Sequence, residues 1–234
     1  MWSPQRYIQQ GQRIGRNRLL LEHAVEQIER LILRKPSLPA ILTLGHLAAR
    51  TGTNYSELRE IVANSSAAYK HFRIRKRSGG HRLISTPQPR LMKVQRWVTA
   101  YVLKPLPSHH RSFAFSDGAS IYRCAAQHCG ARWLVKMDVT GFFGSISAIQ
   151  VYRVFQDAGY EPLVAFELAR LTTYTPAVSS RFTHLEWRTR GRRYPIREYR
   201  SDHIGYLPQG APTSPMLSNL VMKPIDARTR KYCS

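Results

Sequence analysis

The segment Gly205–Leu220, GYLPQGAPTSPMLSNL, constrains the fold of this 234-residue chain more than any other stretch. Pro208 and Pro212 stand on either side of Gln209 and Gly210, and each proline fixes its own φ and restricts the residue before it. The backbone of residues 205–212 is therefore nearly dictated. The apolar pattern that follows predicts a helix over residues 213–231. A loop this rigid is suited to supporting a ligand beside it.

A second feature is the apolar run RWLVKMD at residues 132–138, which predicts a buried strand ending on Asp138. Alone, an aspartate at a strand end is usually a cap or turn residue. A carboxylate in this position, followed by a glycine and two aromatic residues, also suits metal-assisted phosphoryl transfer. Mg²⁺ prefers oxygen ligands and usually keeps substrate phosphates in its coordination shell.

The charge of the chain predicts a polyanionic partner. Lys and Arg number 36 against 14 Asp and Glu, which gives a formal net charge of +22. An anionic membrane surface is the competing partner, but the basic residues are interleaved with aromatic ones instead of lying along one amphipathic helix. Nucleic acid is favoured. No apolar run approaches the roughly 20 residues of a membrane span, and no signal core follows the N-terminus, so we expect a cytoplasmic protein with no membrane partner.

Two basic hairpins are expected. In the first, short strands flank Ser78-Gly79-Gly80, and five cations crowd together; these are Arg73, Arg75, Lys76, Arg77 and Arg82. A solvated basic edge is one interpretation, but five neighbouring cations repel one another, so a bound anion explains them better. The second hairpin, residues 181–200, turns near Gly191 and holds seven arginines, among them Arg188, Arg190, Arg192 and Arg193.

Helical spacing and caps predict most of the remaining elements. The expected helices cover residues 19–33, 40–50, 91–103, 119–129, 147–158 and 161–172. A further helix is expected to begin at Asn54, whose side chain caps it while the Glu57 side chain bonds back to the cap residue. In the first of them, one face carries Leu21, Val25, Ile28 and Ile32. Residues 40–63 have a helix-turn-helix rhythm, which leaves a DNA-binding regulator as a weak alternative.

The cysteines give little functional signal. Cys124 and Cys129 flank His128, and Cys233 lies near the end of the sequence. A zinc site needs a matching second pair of ligands, which this run lacks. Reduced structural thiols are the simpler interpretation.

Four motifs together resemble bacterial reverse transcriptases, above all retron reverse transcriptases, with group II intron maturases as more distant cousins. LPQGAPTSPMLSNL resembles their loop-helix motif, and VKMDVTGFFGSIS is similar to their first catalytic palm motif. RKRSGGHRLISTPQPRLMKVQRWV resembles their fingers hairpin and helix, and AFSDGASIYRCAAQH the segment just upstream of the palm aspartate. The motifs occur in family order across residues 69–226.

The resemblance implies an α+β fold: right-hand polymerase fingers and an incomplete palm, with a small antiparallel sheet and hairpins packed against helices, and no thumb. The implied organisation is a helical region at 1–68, fingers at 69–130 and a partial palm at 131–234. The Arg-rich hairpin interrupts this palm, which stops before the family's Tyr-x-Asp-Asp motif.

The resemblance also implies roles for individual residues. Asp138 would be the catalytic residue and a ligand of two Mg²⁺ ions, and the Val139 carbonyl would help to hold one ion. The implied deoxynucleotide-binding residues are Lys76, Arg82, Phe143, Gln209 and Gly210. Phe143 would exclude a 2′-hydroxyl by volume, although the sequence does not exclude a swap with the neighbouring Phe142. Gln209 could also be an ordinary turn residue.

The family's other two metal-binding carboxylates are missing from the sequence. The aspartates are Asp117, Asp138, Asp157, Asp202 and Asp226, and no two are adjacent. One carboxylate cannot position two ions about 4 Å apart. We therefore expect the isolated chain to be inactive, and a second polypeptide to supply Tyr-x-Asp-Asp and the thumb.

The partners that the resemblance implies are a structured noncoding RNA, an RNA/DNA hybrid and deoxynucleotides, in the bacterial cytoplasm. It also implies msDNA synthesis and a connection with antiviral defence. The alternative is a catalytically silent RNA-binding or assembly protein that kept the fold.

Overall fold

Four capped helices build the N-terminal region of the computed structural model, which describes residues 3–64, 67–77, 79–116, 118–176, 196–199 and 204–232. Each helix begins after a polar residue whose side chain accepts a hydrogen bond from a backbone N–H of the first turn. This bond satisfies a donor that the helix itself leaves unpaired. The helices are α1 (Pro4–Arg13), α2 (Arg18–Arg34), α3 (Leu44–Thr51) and α4 (Tyr55–Val62).

The predicted first amphipathic helix is confirmed as α2, with one change in its buried face. Leu21, Val25 and Ile28 are buried as expected, but the fourth buried residue is Leu31, and Ile32 is half-buried. A step of three residues after Ile28 keeps Leu31 on the inner face, because an α-helix has 3.6 residues per turn.

The boundaries of α3 and α4 follow their caps. The start of α3 lies four residues after the predicted Ala40, because Thr43 accepts a hydrogen bond from His46 N at 3.1 Å and so fixes the first turn. The predicted Asn54 cap of α4 is confirmed, with Ser56 N donating to Asn54 Oδ1 at 2.9 Å. The Glu57 side chain, predicted to bond back to the cap, binds Arg90 instead.

The first basic hairpin is confirmed. Strands β1 (Tyr69–Arg75) and β2 (His81–Pro87) pair antiparallel, in a register that sets Tyr69 opposite Pro87 and Arg75 opposite His81. Gly79 and Gly80 have φ of +86° and +76° in the turn. Positive φ is costly for other residues, which explains the Gly-Gly pair at this position.

The rest of the described chain is mainly helical, as predicted. Helix α5 (Pro89–Val98) begins on a proline and continues directly into a π-helical turn at Thr99–Leu103, so the predicted helix over 91–103 has two parts. The helices that follow α5 are α6 (Ile121–Ala126), α7 (Phe142–Ser145), α8 (Ala148–Asp157), α9 (Pro162–Thr172) and α10 (Ser214–Tyr232). Arg197–Tyr199 forms a single 3₁₀ turn.

Helix α9 lies at the centre of the core. Every residue from Val164 to Thr172 is buried, including Glu167 and Arg170. Helices α4, α5 and α8 pack around it, and Val94 of α5 and Phe155 of α8 are fully buried. A helix that is buried on all sides must satisfy its polar side chains internally, because burying an unpaired polar group costs free energy.

The prediction of a buried strand at residues 132–138 is wrong. The segment forms no strand, and its side chains lie in solvent, with Trp133 90%, Val135 79% and Met137 81% exposed. A strand exists only when a neighbour completes its hydrogen bonds, and the one sheet among the described residues is the β1–β2 hairpin. An apolar segment in this state invites pairing with another strand.

A buried polar cluster ties the 3₁₀ turn to α9. Tyr199 donates its hydroxyl to Glu167 Oε1 at 2.9 Å, and Arg170 Nη2 donates to the Tyr199 carbonyl at 3.4 Å. Burial raises the pKa of Glu167 to about 7, against the lowering effects of the Tyr199 hydrogen bond and the Arg59 charge. The folded state therefore favours the protonated form of Glu167.

We expect this cluster to make the protein less stable as pH rises. Because the folded pKa of Glu167 lies above its ordinary value of 4.5, the folded state holds the proton more tightly than the unfolded state, and the stabilisation is lost as pH climbs through about 7. Between pH 4.5 and 8, wild type should lose roughly 3 kcal/mol of unfolding free energy relative to Glu167→Gln. Urea unfolding across this pH range measures the difference. The exposed control Glu26→Gln should follow wild type, and parallel curves for wild type and Glu167→Gln would contradict the expectation.

Candidate nucleotide and nucleic-acid site

The loop at residues 204–213 is joined to the start of α8 by backbone hydrogen bonds. Ala148 N donates to the Gly205 carbonyl at 2.7 Å, and Leu207 N donates to the Ile146 carbonyl at 3.0 Å. These bonds place the loop against the chain that leads out of the predicted catalytic motif.

Tyr174, two residues after the C-terminal end of α9, is the second point at which the loop is attached. Tyr174 N donates to the Tyr206 carbonyl at 2.9 Å, Tyr206 N donates back at 3.0 Å, and their rings meet edge to face at 5.9 Å. A Cβ on Gly205 would lie 2.8 Å from Thr175 Oγ1 and 3.0 Å from the Tyr174 carbonyl oxygen. The close approach of the two segments therefore depends on glycine at position 205.

The outer edge of β2 is the third attachment point. Ser85 N points away from β1 and donates to the Gln209 carbonyl at 2.7 Å. Gly210 has φ of +113°, and a Cβ there would lie 2.8 Å from Ile84 Cγ2 and 3.3 Å from the Ser85 carbonyl oxygen. The predicted residues Gln209 and Gly210 thus lie directly against the hairpin, with Gln209 half-buried and Gly210 exposed.

The loop then turns into α10, which confirms the helix predicted at 213–231. Ser214 donates its hydroxyl to the Pro208 carbonyl at 2.7 Å, a contact that closes the loop on itself. Thr213, Ser214 and Leu217 are buried, so the first turn of α10 is anchored in the core. The rigidity expected from the prolines has a tertiary basis as well as a local one.

The predicted phosphate-binding cations are exposed on the hairpin. Lys76 lies at the turn, where its backbone N donates to the Gly80 carbonyl at 3.0 Å, and Arg82 stands opposite Ile74. The ion pairs formed among the described residues involve other arginines. The exposed hairpin cations are Arg73, Arg75, Lys76, Arg77 and Arg82.

The first part of the predicted catalytic motif is exposed, and the second part is packed against the core. Asp138 and Val139 are exposed at the end of the unpaired segment. Phe142 and Phe143 begin α7, with ring centroids 5.6 Å apart, and both are half-buried and packed against the core. Their burial does not distinguish them, so Phe143 as the sugar-excluding residue remains a prediction.

The donor set around Asp138 does not fit two divalent ions. Among the described residues, no three His, Cys, Asp or Glu side chains lie close enough together to hold a metal. One exposed carboxylate and a backbone carbonyl are too few ligands for the octahedral oxygen shell of Mg²⁺. The residues described here therefore supply part of a metal site at most, and no step of a reaction follows from them alone.

Two other predictions have different outcomes. Arg188, Arg190, Arg192 and Arg193 of the second basic hairpin lie outside the described residues. The helix-turn-helix interpretation gains no support. The exposed side of α4 carries the acidic residue Glu60, and the basic residue Arg59 forms an ion pair with Glu198 at 3.5 Å. An acidic helix is a poor ligand for a phosphate backbone.

Sequence reasoning missed the residues that connect the hairpin to the loop. His71 Nδ1 lies 2.9 Å from Ser85 Oγ, and the His71 ring lies 4.6 Å from the Tyr174 ring. Pairing the two predicted strands could have set His71 opposite Ser85, since the side chains of directly opposed residues lie on the same face of the sheet. The contact with Tyr174 had no local signal, because it joins residues about a hundred positions apart.

Comparison with known proteins decides the family. The family described as "Reverse transcriptase (RNA-dependent DNA polymerase)" matches residues 74–234. The chain belongs to the reverse transcriptase family. Retron Ec86 reverse transcriptase of Escherichia coli is 26% identical to this reverse transcriptase over 89% of the chain. The retron Mx162 and Mx65 reverse transcriptases of Myxococcus xanthus are each 32% identical, over 78% and 84% of the chain. The predicted retron-type assignment is confirmed.

The chain spans only part of the length of the reverse transcriptases that it matches. It spans 57% of the Ec86 protein, 36% of the Mx162 protein and 44% of the Mx65 protein. The helix-rich α+β fold with a small antiparallel sheet agrees with the predicted class. No helix within the described ranges is long and apolar enough to cross a membrane.

Proposed function

We propose that this chain supplies the fingers and the first part of the palm of an RNA-directed DNA polymerase that copies a structured noncoding RNA into msDNA. The observation that carries the proposal is the placement of the 204–213 loop. This loop is bonded to the cation-bearing hairpin on one side and to the chain leaving the Asp138 motif on the other. A nucleotide bound between them would meet phosphate-binding cations and the catalytic carboxylate in one site.

The residue roles that we propose are those that the family resemblance implies. Lys76 and Arg82 bind the triphosphate of the incoming deoxynucleotide, and Gln209 with Gly210 lines the pocket beside it. The net charge of +22 suits an RNA/DNA hybrid. The arginines assigned to the nucleic-acid backbone are Arg73, Arg75, Arg77, Arg188, Arg190, Arg192 and Arg193.

The active enzyme requires further carboxylates beside Asp138, and we propose that another polypeptide segment carrying Tyr-x-Asp-Asp supplies them. The exposure of residues 132–137 supports this proposal, because a strand added beside them would bury apolar side chains and complete the backbone hydrogen bonds. Asp138 and the Val139 carbonyl would then contribute to a site for two Mg²⁺ ions. The chemistry that such ions supply is stabilisation of the attacking and leaving oxygens.

A catalytically silent RNA-binding protein is the second candidate, and the isolated position of Asp138 favours it. Primer extension separates the two. The chain mixed with a segment carrying Tyr-x-Asp-Asp should extend a primer on RNA with deoxynucleotides and Mg²⁺. RNA binding with steep salt dependence and no extension in any mixture would establish the silent protein instead.

Phe143→Ala should relax the choice of sugar in this extension assay. If the Phe143 ring occupies the space of a 2′-hydroxyl, removing it should lower discrimination against ribonucleotides by about tenfold or more. The measurement is the ratio of kcat/KM for a deoxynucleotide to that for the matching ribonucleotide. Phe142→Ala is the matched control, because its ring is also half-buried. If Phe142→Ala alone changes the ratio, the two roles are exchanged.

A further inference from the structure

A single residue of β2 contacts both the loop and the other strand of the hairpin. Ser85 is 4% exposed. Its backbone N donates to the Gln209 carbonyl at 2.7 Å, and its Oγ lies 2.9 Å from His71 Nδ1. The backbone of Ser85 therefore fixes the loop to β2, while its side chain fixes β2 to His71 of β1. The position of Gln209 depends on how this one residue is held.

His71 is also connected to the other end of the loop, through Tyr174. Its ring lies 4.6 Å from that of Tyr174. Tyr174 in turn pairs with Tyr206 through two backbone hydrogen bonds of 2.9 and 3.0 Å. The loop is thus located from both ends, at Tyr206 through Tyr174 and at Gln209 through Ser85, and both routes meet at His71.

We propose that His71 and Ser85 are positioning residues that set the distance between the loop and the hairpin cations, and through it the affinity for the incoming nucleotide. The proposal rests on the proposed function, because it takes Gln209 and the cations to bind one nucleotide. In this proposal both residues act through the loop and the hairpin, without contacting the nucleotide themselves. A two-part site of this kind binds tightly only when its halves are held at the right separation before the ligand arrives.

Variants of His71 separate the hydrogen bond from the ring contact. His71→Phe keeps a ring beside Tyr174 but removes the partner of the Ser85 hydroxyl. His71→Asn removes the ring but keeps a polar atom close to the position of Nδ1. Ser85→Ala removes the hydroxyl from the other side. If the hydrogen bond does the positioning, His71→Phe and Ser85→Ala should have equal effects, and the double variant should be no worse than either.

Hydrogen exchange of the 234-residue chain tests the positioning without requiring activity. In Ser85→Ala and His71→Phe, the amides of residues 83–86, 204–207, 209 and 210 should exchange about three- to tenfold faster, as expected for the loss of one hydrogen bond. His71→Asn should restore most of the protection. Lys70→Ala, an exposed change on the opposite face of β1, should match wild type. Unchanged exchange in Ser85→Ala, or no rescue by Asn, would overturn the positioning role.

Steady-state kinetics of the completed polymerase tests the consequence. The deoxynucleotide KM should rise about three- to tenfold in Ser85→Ala and His71→Phe, with kcat within about twofold of wild type and unchanged RNA affinity. Faster exchange with an unchanged KM would overturn the link to nucleotide affinity. A wild-type mixture that extends no primer would count against the proposed function, while the exchange result would still decide whether the pair positions the loop.

Discussion

Asp138→Asn should abolish primer extension by the completed polymerase and leave RNA binding unchanged. The Asp138 side chain is exposed at the end of an unpaired segment, so exchanging it for an isosteric amide removes a negative charge without disturbing any packing. If Asp138 helps to hold two divalent ions as proposed, loss of its charge should lower kcat by about a thousandfold or more. The phosphate contacts assigned to the hairpin cations do not involve this residue, so the RNA dissociation constant should stay within about twofold of wild type.

The matched control for this change is Asp157→Asn. Asp157 is also exposed and lies at the C-terminal end of α8, where a negative charge opposes the helix dipole, so its neutralisation is harmless. Rates of extension and RNA binding curves at one salt concentration compare the three proteins. Extension that persists in Asp138→Asn would refute the catalytic assignment. Loss of RNA binding in the same variant would show that Asp138 has a structural role instead.

Gly210→Ala should detach the loop from the hairpin. The added Cβ would lie 2.8 Å from Ile84 Cγ2 and 3.3 Å from the Ser85 carbonyl oxygen, at a φ of +113°. Both the clash and the backbone strain act against the native position, and together they should lower the unfolding free energy by about 2–4 kcal/mol. In the completed polymerase we expect the deoxynucleotide KM to rise about tenfold or more, because the displaced loop no longer lies beside the hairpin cations.

Two comparisons separate the clash from the strain. Gly15 also has positive φ, +75°, but nothing lies within 4 Å of a Cβ built there, so Gly15→Ala should show the strain alone, about 1 kcal/mol. Adding Ile84→Ala to Gly210→Ala removes the clashing methyl and should recover part of the nucleotide affinity. Urea unfolding and steady-state kinetics provide the numbers. Equal losses of stability in the Gly15 and Gly210 variants would show that the loop does not depend on the close approach to β2.

Local signals in the sequence predicted the elements that local physics decides. Asn54 caps α4, Gly79 and Gly80 turn the hairpin, and the 147–158 and 161–172 helices are α8 and α9 with small changes at their ends. Caps, turn residues and helical spacing act over a few positions, so one sequence contains all the information that they need.

The strand wrongly predicted at residues 132–138 and the contacts that were missed depend instead on residues far apart in the sequence. Residues 132–138 have the composition of a buried strand, but a strand is made by its neighbour, and composition does not reveal whether one is present. In the site, Gln209 and Gly210 were predicted from their own loop, whereas the Ser85 contact that holds them joins positions more than a hundred residues apart. Only the fold brings those positions together.

The exposed segment at residues 133–137 also bears on solubility. Trp133, Leu134, Val135 and Met137 form a short apolar run without proline, the composition that favours intermolecular cross-β assembly when it stays in water. Lys136 interrupts the run, and Arg132 and Asp138 flank it. These charges act as gatekeepers, because stacking identical chains in register would bring like charges within a few ångströms of one another. The same three ionic groups let the segment remain in solvent without joining copies of itself.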